Sequence, residues 1–360
     1  MLVLLAGAGA LLGAVPSAAA APGTRPPTPA SAAGEARALS LLGVAARAAR
    51  LRTYSGTQYV ASWRESGASS TVVEVQHAPE TGMRVTAPET AGGPTSDATV
   101  AAQTDALDER LLPLLAAHYD LALAPSQRCS GRLARVVEAR RPGVGGPAGL
   151  AGRFWLDRGS GLVLRREVYD ARGRVVRSTA FVELDVAAGP PAAAGPSPAG
   201  PSPAGQLPPD TSLARLVAGT SLSDAPDAGW PVPSTLPGGL QLFDAQRRDV
   251  GAAEVLHLAY SDGLSRLSLF SQPGRLGDDA PAGFRRVSIA GTPVWVRSAS
   301  PERVVWSGGG RVWTLLSDAP PGTVDAVVTA LPHDATARGG LLARLGRGLA
   351  RLASWLNPFS

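Results

Sequence analysis

The run from Gly152 to Val186 constrains the fold of this 360-residue chain more than any other segment. Phe154-Trp155-Leu156 and Leu162-Val163-Leu164 are short β-favouring runs on either side of a tight Asp-Arg-Gly-Ser-Gly turn at 157–161. A second turn at Asp170–Gly173 leads into a longer alternating run. There Val176, Ala180, Val182, Leu184 and Val186 are expected on one face, and Arg177, Thr179, Glu183 and Asp185 on the other. The pattern specifies a three-stranded antiparallel meander with one wet and one apolar face. The apolar face must be covered, by helix or by ligand.

Length and composition frame that meander. A chain of this size suggests two domains, and 44% hydrophobic residues is enough for real cores. The 42 glycines and 32 prolines make about a fifth of the chain, so long linkers are expected. The formal charge is +5 and every basic residue is arginine. Arginine codon bias accounts for this, although Arg also pairs bidentately with an anionic partner. The arginines form no nucleic-acid stripe and no nucleic-acid motif is present.

Upstream, Glu35 to Arg52 reads as a helix, with Ala36, Leu39, Leu42 and Ala46 at helical spacing. The period then changes to two from Thr53. Ser55, Thr57, Tyr59, Ala61 and Trp63 share one face, while Gly56, Gln58, Val60 and Ser62 share the other. Strands follow at Thr71–His77 and Met83–Thr86, a helix within Thr104–Tyr119, and a strand at Leu133–Arg140. One leading helix followed by strands without regular helical crossovers indicates an α+β fold with an antiparallel sheet.

Two segments carry a family resemblance. The meander wording GRFWLDRGSGLVLRREVYDARGRVV, and the helix running into Tyr54-Ser55-Gly56-Thr57, resemble the N-terminal domain of the RseB/MucB proteins. The resemblance implies a LolA-like half-barrel over residues 35–188. A second domain at 230–333 resembles the smaller C-terminal domain of the same family. It enters through Leu236-Pro237-Gly238-Gly239 and continues through a hairpin at His257–Leu264 turning at Ser261-Asp262-Gly263. Strands are expected at Val255–Tyr260, Ser265–Ser271, Thr292–Ser298, Val304–Ser307 and Arg311–Leu316, with a closing helix at Gly322–Leu331. Together the matches cover about three quarters of the chain, in order.

The remaining segments are expected to be auxiliary. Residues 1–20 read as a signal peptide cleaved after Ala20, with an uncleaved apolar anchor as the alternative. Residues 21–34 read as a disordered lead-in. Residues 189–229 form a Pro/Gly/Ala-rich linker containing two copies of Gly-Pro-Ser-Pro-Ala, with a short helix around 212–217. In the tail, 334–360, Leu341, Leu345, Leu349, Leu352, Trp355 and Phe359 fall in one helical arc beside Arg344, Arg347 and Arg351. That arrangement suits a membrane surface, with packing on the C-terminal domain as the alternative.

The search for chemistry is mostly negative. No nucleophile elbow, His-Glu-x-x-His helix or phosphate loop occurs, and Gly143–Ala148 reads as a hairpin loop. His77, His118, His257 and His333 lie in four separate elements, and Cys129 is alone. No metal, cofactor or catalytic residue is expected. The resemblance implies an extracytoplasmic regulator that binds an anti-sigma factor outside the cytoplasm and controls its proteolysis, with lipid or lipoprotein sensing in the first domain. The alternative is a lipid or lipoprotein carrier. Tyr59, Trp63 and one of Phe154 or Trp155 are the candidates for an apolar cavity, with core packing as the competing role. Arg344, Arg347, Arg351 and Trp355 are the membrane-surface candidates.

Overall fold

The structure, a computed structural model, describes residues 29–64, 67–86, 107–187, 233–250, 253–277, 279, 283–297 and 302–334. The expected signal peptide, linker and basic tail, with Arg344, Arg347, Arg351 and Trp355, lie outside the described residues. Two eight-stranded antiparallel sheets form the described part.

The first sheet contains β1 (Tyr54–Arg64), β2 (Gly67–Ala78), β3 (Gly82–Thr86), β4 (Asp120–Cys129), β5 (Arg132–Arg140), β6 (Leu150–Asp157), β7 (Val163–Tyr169) and β8 (Val175–Val186). Its order is β3-β2-β1-β8-β7-β6-β5-β4, so the sheet is open, with β3 and β4 as edges. The expected meander is β6–β7–β8, closed by Gly161 N–H to Asp157 O at 2.9 Å and Gly173 N–H to Asp170 O at 3.0 Å. Helix α1 (Pro29–Leu51) and a short helical stretch, Glu109–Leu111 continuing into α2 (Leu112–His118), pack on this sheet. Leu42, Ala45, Leu112 and Leu115 from the helices join Leu121, Val137, Phe154 and Val168 from the strands in one cluster.

The second sheet contains β9 (Thr235–Leu236), β10 (Leu240–Val250), β11 (Ala253–Ser261), β12 (Arg266–Pro273), β13 (Arg285–Ile289), β14 (Thr292–Arg297), β15 (Glu302–Gly308) and β16 (Arg311–Ser317). Its order is β13-β14-β15-β16-β12-β11-β10-β9. Helix α3 (Pro321–Ala330) closes it through Val324, Val327 and Val328. Trp306 and Trp313 stack at 6.2 Å in its core.

Several sequence expectations need correction. Helix α1 begins at Pro29 rather than Glu35, taking part of the supposed lead-in. Proline is suited to a first helical turn, and the alanines behind it are strong helix formers. The alternation expected in β8 fails: Arg177 and Thr179 are buried, whereas Val182 is 58% exposed. Thr57 faces Glu183 while Gln58 faces Phe181, so Val182 is the extra residue of a bulge. Beyond a bulge the faces exchange, which buries both Phe181 and Leu184. Strand β4 was not expected because Pro125 interrupts it. That proline lies at a register shift on an edge strand, where a missing N–H is tolerated.

Gly56 explains why the Tyr-Ser-Gly-Thr run needs its glycine. It pairs with Leu184 beside the β8 bulge, and a Cβ there would stand 2.2 Å from the Glu183 carbonyl oxygen. Backbone cannot yield as a flexible side-chain tip can. Gly56→Ala should therefore destabilise the protein by about 1–3 kcal/mol through overpacking, read as a lowered urea midpoint. An unchanged midpoint would show that the β1–β8 spacing is slack.

Candidate interaction site

The two sheets meet where the β11–β12 turn enters the first domain. Ser261-Asp262-Gly263 makes the tight reversal. Ser261 Oγ accepts from Gly263 N–H at 2.9 Å, and Asp262 Oδ1 accepts from Leu264 N–H at 2.9 Å and Ser265 N–H at 2.6 Å. Gly263 has φ +88°, and a Cβ on it would lie 2.1 Å from the Leu115 amide nitrogen of α2. Only glycine meets both demands. The turn thereby delivers Leu264, 3% exposed, into the first domain's cluster with Leu42, Leu115, Phe154 and Val168. Gly152 leaves the space: a Cβ there would sit 2.5 Å from Leu264 Cδ1. Burying one leucine contributes roughly 1.5–3 kcal/mol.

Polar contacts frame the inserted leucine. Tyr119 Oη donates to Asp262 Oδ2 at 2.6 Å. The buried Arg166 donates to the Leu264 carbonyl and lies 3.8 Å from the Asp318 carboxylate. Farther along the seam, Arg64 of β1 pairs with Glu302 of β15, both largely buried. Burial pushes the Glu302 carboxyl above its ordinary range, against the pull of Arg64, and burial holds the Arg64 guanidinium below its own. A pair desolvated to this degree fixes register more than it adds stability. Burial, then the Asp262 carboxylate, push the Tyr119 phenol upward.

A second surface is the exposed end of a side-chain row that crosses the first sheet. Cross-strand partners share a face, so pairing places Ala124, Val136, Trp155, Arg165, Ala180, Tyr59 and Val72 in one row. One end is closed: Arg153 and Arg165 lie 5.6 and 5.0 Å from the Trp155 ring, whose Nε1 donates to Gln127 Oε1 at 2.8 Å. The other end is open, with Tyr59 and Trp63 each 40% exposed and Val72 similarly so.

The four apolar candidates therefore do not converge. Phe154 packs beneath α1 in one cluster, and Trp155 lies in the other. Tyr59 and Trp63 stand on the solvent-facing strip rather than in an interior. The seam residues Tyr119, Arg166 and Leu264 were missed by sequence reasoning. Their signal was the Ser-Asp-Gly-Leu turn, which reads as an ordinary hairpin until a neighbour occupies its tip.

The histidines are held structurally. His77 stacks on Tyr54 and bonds the Arg52 carbonyl, His118 bonds the Leu114 carbonyl, His257 stacks on Phe270, and His333 bonds the Val328 carbonyl. Among the described residues no three His, Cys, Asp or Glu side chains group to hold a metal. No helix among them is long and apolar enough to cross a membrane.

Comparison with known proteins finds the following similarities. The model of the MucB/RseB N-terminal domain matches residues 94–210. The sigma factor AlgU regulatory protein MucB of Pseudomonas aeruginosa is 27% identical over 226 residues. By these matches the chain is similar to the MucB/RseB proteins. The match to that MucB covers 62% of this chain and 64% of its relative, so the chain spans somewhat under two thirds of that protein's length. Among solved structures, a crystal structure of MucB aligns over 82% of this chain and 98% of its own at 22% identity, TM-score 0.48. The Pseudomonas aeruginosa MucA/MucB complex aligns over 83% and 100% at 23% identity, TM-score 0.40.

The MucB/RseB-like wording falls on two closely packed places. Tyr54-Ser55-Gly56-Thr57 borders the β8 bulge, and the His257–Leu264 hairpin forms the seam. Removing the Tyr119 hydroxyl strips Asp262 Oδ2 of a buried donor. Tyr119→Phe should cost about 1.5–3 kcal/mol, the range for a hydrogen bond to a charged group. The pH dependence has a definite sign. A phenol raised above its ordinary value of 10.0 stabilises the fold fully below that pH and loses the contribution as pH rises beyond it. Thermal midpoints measured from pH 7 to 11 should fall at the alkaline end, and less steeply for Tyr119→Phe. Equal slopes would remove Tyr119 from the seam's energetics.

Proposed function

We propose that this chain is an extracytoplasmic, non-enzymatic regulator that binds the extracytoplasmic segment of an anti-sigma factor and controls that factor's proteolysis. The observation carrying this reading is the match to a sigma-factor regulatory protein together with the MucB/RseB domain match. The organisation is consistent with it: two sheet domains with separate cores, joined at a polar seam. Binding a segment needs surface and domain geometry rather than convergent acid–base groups.

The division at 35–188, 189–229 and 230–333 belongs to the same proposal. The first domain presents the Tyr59–Val72–Trp63 strip, and the second carries the turn that docks on the first. A lipid or lipoprotein acyl chain, the second ligand class in this proposal, finds its apolar contact on that strip. The basic tail, with Arg344, Arg347, Arg351 and Trp355, would hold the protein at an anionic membrane surface. That would raise its effective concentration beside a membrane-embedded partner.

The mature protein, used as bait on solubilised native membranes, should enrich an anti-sigma factor identified by mass spectrometry. It should also slow proteolysis of that factor's purified extracytoplasmic segment. Enrichment of no such protein would sink the regulatory reading. An acyl-chain fluorophore should bind saturably, and Tyr59→Asp should weaken that binding several-fold without moving the melting temperature, because Tyr59 is exposed. A parent protein that binds no fluorophore would remove the lipid part alone.

A further inference from the structure

We infer that the Asp262–Leu264 turn is a detachable latch between a closed arrangement of the two domains and an open one. Among the described residues, the second domain's own apolar core, from Leu236 to Leu331, contains no residue of the first, and Leu264 is the single residue of the second domain in the first domain's clusters. Among them, interdomain closure thus has one apolar anchor, surrounded by hydrogen bonds and ion pairs. Small polar seams of this kind belong to domains that move relative to each other.

The socket is shaped for this leucine. The nearest heavy atoms to a Cβ built on Gly152 are all from Leu264: Cδ1 at 2.5 Å, Cδ2 at 3.1 Å and Cγ at 3.4 Å. Gly263 then brings the turn's backbone against α2. The polar partners are self-sufficient on leaving. Asp262 keeps its bonds to Leu264 and Ser265 N–H, because these lie within the turn. The turn therefore keeps its shape when it undocks, with water replacing its bonds from Tyr119 and Arg166 while the Arg64–Glu302 and Arg166–Asp318 pairs along the seam separate. Residues 188–232 connect the domains, a span of 45 residues that can reach on the order of 150 Å fully extended, so covalent connection does not enforce closure. Undocking would bare an apolar socket lined by Leu115, Phe154 and Val168. Closure thus occludes a surface that the open form would offer.

The test uses the full chain with spin labels at Arg172→Cys and Ala326→Cys, both exposed sites, in a Cys129→Ser background. Pulsed dipolar spectroscopy should give one narrow distance for this parent. Leu264→Arg, from the turn side, and Gly152→Val, from the socket side, should each lose the narrow peak and gain longer distances. Near-ultraviolet circular dichroism should stay native in both. A narrow parent-like distance in either variant overturns the proposal. So does a parent already broad, since no latch then holds. Global unfolding of both variants also overturns it, because the turn is then part of one indivisible core.

Discussion

The described architecture hangs on one leucine carried at the tip of a tight turn. Leu264 belongs by sequence to the second domain and by packing to the first. Three local demands place it there. Asp262 must cap two turn amides, Gly263 must occupy a positive φ against α2, and Gly152 must lack a side chain. None of these adds much energy alone. Together they allow an apolar residue to cross a boundary that is otherwise polar.

The contrast between the cores and that boundary explains how one chain can be rigid within domains and adjustable between them. Inside each domain, buried valines, leucines and aromatics pack in continuous clusters. Between them lie Arg64–Glu302, Arg166–Asp318 and Tyr119–Asp262, contacts whose charged partners must shed water to form. Such contacts define one arrangement sharply while returning little net free energy. That balance suits the regulatory binding role we propose, because a ligand needs only a modest difference in affinity to shift it.

Much of the fold was legible in the sequence, and the failures are physical. The meander, the Thr53–Trp63 strand and the closing helix followed from periodicity and turn chemistry. The face assignment in β8 failed because a single bulge residue, Val182, reverses every later side chain. Strands β4 and β10 were hidden by register shifts at Ala124/Gln127 and Leu242/Asp244 that break the alternation. Of the cavity candidates, Phe154 and Trp155 are both buried, in separate clusters. Tyr59 and Trp63 are half-exposed because β1 turns its odd-numbered aromatics away from the helices. The seam could not be read at all, since nothing in Ser-Asp-Gly-Leu announces that Leu115, on a helix 148 residues before Gly263, packs against its tip.

Hydrogen exchange on the unmodified protein tests the central claim most directly. If closure is a reversible docking of one turn, amides in 112–118 and 261–266 should open together, by an event less costly than global unfolding. The β7 and β16 amides should be released only at the global limit. Exchange of 112–118 and 261–266 at unrelated rates, or only alongside the β7 and β16 cores, would contradict the account.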